Sequence, residues 1–90
     1  MASFFVELEI EGAKFVLSYI QANKDKFEQE LAPFVKDGEV EIVALAKKVN
    51  PWVALAVEAA VKYLGPNVPK YEGDAVAWIE AALEAFIAKG

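Results

Sequence analysis

Two pairs of glutamates stand four residues apart in this chain, Glu7 with Glu11 and Glu80 with Glu84. On a helix that spacing places both carboxylates of a pair on one face, the least arrangement that acid–base work by paired carboxyls requires. A solvated helix face is the ordinary explanation of such pairs, and no second reactive group stands beside them in sequence. A lysine nucleophile is the other chemistry these residue types allow. Lys62 lies in the most apolar stretch, but Glu58 precedes it by one turn, and the two read as charged heads reaching water. The run NKDKFE at 23–28 begins like a calcium loop. Glycine is missing at its sixth position and Phe34 stands where the twelfth-position glutamate belongs, so no calcium site is expected.

Glu9 is the carboxylate that fits least well. If residues 4–22 are helical, it points away from the other acids and toward Val16 and Ile20. A carboxylate buried there without a partner would cost several kcal/mol. Three readings are open: a wet first turn or exposed edge, a pairing across an interface, or a functional carboxyl with a raised pKa.

The chain has no histidine, cysteine, arginine or threonine. Ser–His, Cys–His, thiolate-metal and disulfide chemistry are therefore out of reach, and no catalytic, cofactor-binding or metal-binding residue is expected. The five glycines are scattered along the chain and make no phosphate-cradling loop. Nine lysines against fourteen acids leave a net charge of −5. That balance argues against nucleic acid and against anionic lipid. No basic-then-apolar leader is visible at the start, and the lack of cysteine is most compatible with a cytoplasmic setting. The stretch VNPWVALAVEAAVKYLG at 49–65 is too short, and too charged at Glu58 and Lys62, to span a bilayer.

The elements follow from periodicity. VELEIEG at 6–12 alternates like a strand, as does GEVEIVA at 38–44, but the first alternation fails at AKFVLSY. A helix over 3–22 instead gathers Glu7, Glu11, Lys14, Ser18 and Gln21 into one polar stripe, with Ser3 as its N-cap. Asp25 and Glu28 have the spacing of a capping box opening a short second helix, with Phe27 and Leu31 on one face and Pro33 ending or kinking it near Ala32. Asp37 or Gly38 is expected to cap a third helix with Glu39 and Glu41 in its first turn. Ile42, Leu45, Ala46 and Val49 form its apolar face. Asn50-Pro51 opens a fourth helix that runs to Leu64 and stops at Gly65-Pro66. Asp74 caps a fifth, ending near Lys89, whose thin polar stripe is Glu80 and Glu84.

The predicted fold is a single all-α domain over 1–90, a compact bundle of four to five short helices with helix 4, about 51–64, at its centre. Hydrophobic residues make up 57% of the chain, above the usual ~45–50%. A domain this small cannot bury that much, so some apolar surface should meet a partner. Trp52, Trp78 and Phe86 on the two most apolar helices, and Tyr71 in the proline-bearing loop, are the candidate interface residues, with core packing the competing role for the tryptophans. The functional expectation is a non-enzymatic protein–protein interaction or assembly module, self-associating through apolar helix faces. A small viral or phage structural or accessory protein, or a designed bundle, would suit that role. The alternative is a binder of an apolar small molecule in a cavity between helices.

Overall fold

The computed structural model describes residues 4–36 and 41–89, folded as five α-helices with no strand among them. They are α1 (Phe4–Ala22), α2 (Lys24–Lys36), α3 (Ile42–Val49), α4 (Pro51–Leu64) and α5 (Ala75–Lys89), with a 3₁₀ turn at Gly65–Asn67. The all-α bundle is as expected, and the strand reading of VELEIEG is set aside. The expected caps at Ser3 and at Asp37 or Gly38, and the place of Glu39, lie outside the described residues.

One residue separates α1 from α2. The backbone N–H of Asn23 donates to Ile20 O at 3.1 Å and its side-chain Nδ2 donates to Tyr19 O at 2.9 Å, closing α1. Its own carbonyl then accepts from Phe27 N at 3.1 Å, opening α2. The second helix thus starts two residues earlier than the capping-box reading, with Asp25 inside its first turn. Tyr19 and Phe27 pack across this joint with ring centroids 5.5 Å apart.

Pro33 does not end α2, which continues to Lys36. The reason is local exposure combined with tertiary contact. Pro33 faces solvent, so the Gln29 carbonyl that loses its donor can be hydrated instead. Beyond it, Phe34 and Val35 pack against the core, and the Lys48 ammonium sits 4.8 Å from the Phe34 ring centroid. Those contacts hold a last turn that propensity alone disfavours.

Glu41 is the N-cap residue of α3, not part of its first turn, and makes no side-chain capping bond. The expected apolar face is correct: Ile42, Leu45 and Ala46 are buried and Val49 is partly so. Asn50 caps α4 as its sequence indicates, its Oδ1 accepting from Trp52 N at 2.7 Å and Val53 N at 3.2 Å, with Pro51 in the first turn. Gly65 closes α4 at φ +58°, a backbone that residues with a side chain rarely adopt. Asp74 caps α5, its Oδ1 accepting from Ala77 N at 3.0 Å.

Helix α4 is central, in contact with α1, α3 and α5; α5 shares that position and touches all four other helices. Ile20 near the end of α1 lines one interior pocket with Val53 and Val76, near the starts of α4 and α5. Tyr63 and Phe86, near the ends of α4 and α5, meet at 5.3 Å. So α4 and α5 run parallel to each other and antiparallel to α1. The loop after Gly65 must therefore travel back along the bundle before α5 begins. It is tied there by Trp78, whose indole N–H donates to Pro69 O at 2.7 Å and whose ring meets Tyr71 edge-on at 5.4 Å.

Candidate functional site

The core takes one side of α1, through Ile10, Ala13, Val16 and Ile20. Glu7, Glu11 and Lys14 take a second, exposed side, where Lys14 Nζ lies 3.3 Å from Glu11 Oε1. Between them runs a third arc that is apolar and uncovered. Leu8, Phe15 and Tyr19 recur at seven and four residues on it and are 53%, 75% and 38% exposed. Helix α4 repeats the pattern beside it, with Trp52 at 72% and Leu55 at 59% exposure.

These two ridges flank a groove of about 270 Å³ between α1 and α4, lined by Glu9, Gly12, Val16, Trp52, Leu55, Ala56 and Ala59. Its inner lining is small or buried, Gly12, Val16, Ala56 and Ala59, and the large side chains stand on its shoulders. Besides a depression of about 340 Å³ over residues 21–26 at the α1/α2 joint, two roomier ones exist elsewhere. One, of about 500 Å³, lies between α2 and the start of α5 with Glu28, Lys36 and Asp74 on its walls. The other, of about 570 Å³, lies beside Trp78 with Lys70, Glu72 and Asp74. Of these depressions, the α1/α4 groove is the one bordered by large apolar side chains that are mostly exposed.

Glu9 is exposed and stands at the margin of that groove. It shares the groove with Val16, one of the two residues the angular argument named, and the wet-edge reading is the one that matches its exposure. Its side chain is exposed there, so its carboxylate stays in water.

Phe86 is fully buried under Tyr63 and unavailable to a partner. Tyr71 is half-buried against Trp78, and Trp78 itself is partly buried and spends its N–H on the loop. Core packing, the competing role for Trp78, matches its partial burial, and tertiary packing turns Tyr71 and Phe86 inward as well. Trp52 alone of the four interface candidates stands clear of the protein. Leu8, Phe15, Tyr19 and Leu55 were missed as surface residues. The available signal was an apolar arc on α1 spanning more than half its circumference, wider than the roughly 100° stripe one core-facing side needs.

The Glu80–Glu84 pairing fails as a solvated stripe. Glu84 is exposed, but Glu80 is buried and its Oε1 lies 3.4 Å from Lys24 Nζ at the start of α2. The Glu80 charge, and then its hydrogen bond, raise the Lys24 pKa above the usual lysine value. Glu7, Glu11, Glu58 and Lys62 are all exposed.

Among the described residues, no group of histidine, cysteine, aspartate and glutamate side chains could hold a metal ion, and no helix is long and apolar enough to cross a membrane. No protein-family model matches the chain, and neither a curated protein nor a solved structure is detectably similar to it.

Proposed function

We propose that this chain is a non-enzymatic association module that binds a second copy of itself through the apolar face of α1 and α4. The observation that carries the reading is the exposure of Leu8, Phe15, Tyr19, Trp52 and Leu55 on two adjacent helices. Taking about 200 Å² for each large side chain, their exposed parts present roughly 600 Å². That is at the top of the ~300–600 Å² patch a typical monomer carries. With a polar rim it approaches the ~800 Å² per partner of a standard interface. Aromatic residues such as Trp52 and Phe15 are the type that dominates such contacts.

The small-molecule alternative finds less support. The interior around Ile20, Phe27, Leu31, Val53 and Ile79 is packed with no room for a water. An apolar guest would have only the open groove, which leaves much of it in solvent.

Sedimentation equilibrium or light scattering after size exclusion tests the reading. The wild-type chain is expected to self-associate at micromolar concentration. The double variant Trp52→Ser/Leu55→Ser is expected to be monomeric, with a thermal midpoint little changed because each exposed substitution costs within about 0.5 kcal/mol. A wild-type chain that stays strictly monomeric at high micromolar concentration sinks the idea.

A further inference from the structure

Resting on that reading, we propose how the two copies meet: about a two-fold axis at Gly12, with the Leu8–Phe15–Tyr19 ridge of each α1 seated in the α1/α4 groove of the other. A two-fold contact uses the same patch twice, so the patch must hold both a knob and a hole. This one does. Its ridge is large and apolar, and the groove beside it is lined by Gly12, Ala56 and Ala59.

Gly12 sits at the junction of the two, on the ridge between Leu8 and Phe15 and on the wall of the groove. Glycine within a helix is less stable than alanine by about 1 kcal/mol. Nothing within the monomer requires it, because a Cβ built there would meet no atom within 4 Å. A second helix backbone crossing at this point does require it, since only a residue without a side chain allows the closest approach. On a two-fold axis the residue at the crossing meets its own copy.

The rest of the face is consistent with that register. With α1 and α4 antiparallel and side by side, an α1 laid over their groove has its own α4 outboard, and the first α1 falls into the second groove by symmetry. The polar side of the incoming helix, with Glu11 and Lys14, then faces the outer rim of α4, with Glu58 and Lys62. Each rim carries both signs, so opposite charges can face each other across the contact. Glu9, three residues from the axis on the groove margin, opposes the contact. Covering it brings two like charges toward each other in a surface of falling dielectric.

Three variants test this geometry. Gly12→Leu is expected to fold with an unchanged or higher thermal midpoint, because leucine is the better helix former, and to lose the dimer. Gly12→Cys, in a chain with no other cysteine, is expected to form a covalent dimer on mild oxidation several-fold faster than Ser18→Cys on the polar stripe. Glu9→Gln is expected to tighten the dimer several-fold. Retention of the dimer by Gly12→Leu, or equal crosslinking at positions 12 and 18, overturns the arrangement. If Trp52→Ser/Leu55→Ser then still abolishes association, self-association through this face stands without this register. If the wild-type chain is monomeric, both fall together.

Discussion

Lys24 and Glu80 form the polar contact that most directly ties one helix to another in this protein, since it joins the start of α2 to the middle of α5. Glu80 is almost covered while Lys24 remains half in water, so the two partners are unequal. Removing the lysine leaves a covered carboxylate without its counter-charge, whereas removing the glutamate frees a lysine that solvent already reaches. Lys24→Met is therefore expected to lower the thermal midpoint at neutral pH by more than Glu80→Gln does. The pH dependence has a definite sign. The folded-state pKa of Lys24 is raised above its ordinary 10.5. The contact's stabilisation is thus complete below that value and lost as pH rises through the folded one. The difference between wild type and Lys24→Met should narrow in that alkaline window and should shrink at all pH in a Glu80→Gln background. A difference that is constant with pH would remove the ion pair from the account. None of this is visible at the level of spacing, where Glu80 and Glu84 look equivalent. Position on a helix says which residues share a face but not which of them a second helix covers.

At the level of the element, α2 is the helix whose extent local rules misjudge. Pro33 lacks the N–H that would bond to Gln29, yet the helix passes through it to Lys36. Phe34 and Val35 supply the compensation by packing against the core. Pro33→Ala restores a donor and removes the ring, and the site is exposed. The variant is expected to be more stable by about 1 kcal/mol, well under the ~3 kcal/mol that separates proline from alanine in a free helix, because the unfolded chain also gains freedom. Urea unfolding measures it directly. A loss of stability would mean instead that the proline bend is needed to bring Phe34 under Lys48. Elsewhere the element boundaries were legible where a side chain closes its own backbone. Asn50 and Asp74 are such positions, and both make the capping bonds their types imply.

For the whole molecule, shape decides what composition leaves open. The body measures 40 × 27 × 18 Å, so its thinnest direction holds about two layers of helix, each 10–12 Å across. In two layers every helix retains a solvent side, and a chain that is 57% hydrophobic must place some apolar side chains there. They collect on α1 and α4. Association through that face, as proposed, would join two copies of net charge −5, and repulsion between them would oppose it. Raising ionic strength from about 0.05 to 0.5 M shortens the screening length severalfold, and the dimer is expected to tighten. Sedimentation at the two salt concentrations distinguishes this from a charge-driven contact, which would weaken. A dimer weakened by salt would count against an apolar interface.

What the sequence determined by itself was the fold class, a bundle of four to five helices, many of their ends and the chemistries that lack residues to perform them. Those properties rest on local periodicity, on capping side chains within three residues of their targets, and on residue types that are simply missing. What only the tertiary structure decided was which apolar arcs are covered. Phe15 and Phe86 are both aromatic residues on apolar helices, yet one stands in solvent and the other fills the core. The difference lies in the direction from which a second helix approaches, and that is fixed by packing among all five helices at once. The same cause puts Glu80 inside, although its spacing from Glu84 suggested a solvated stripe, and leaves Glu9 outside, in line with the wet-edge reading.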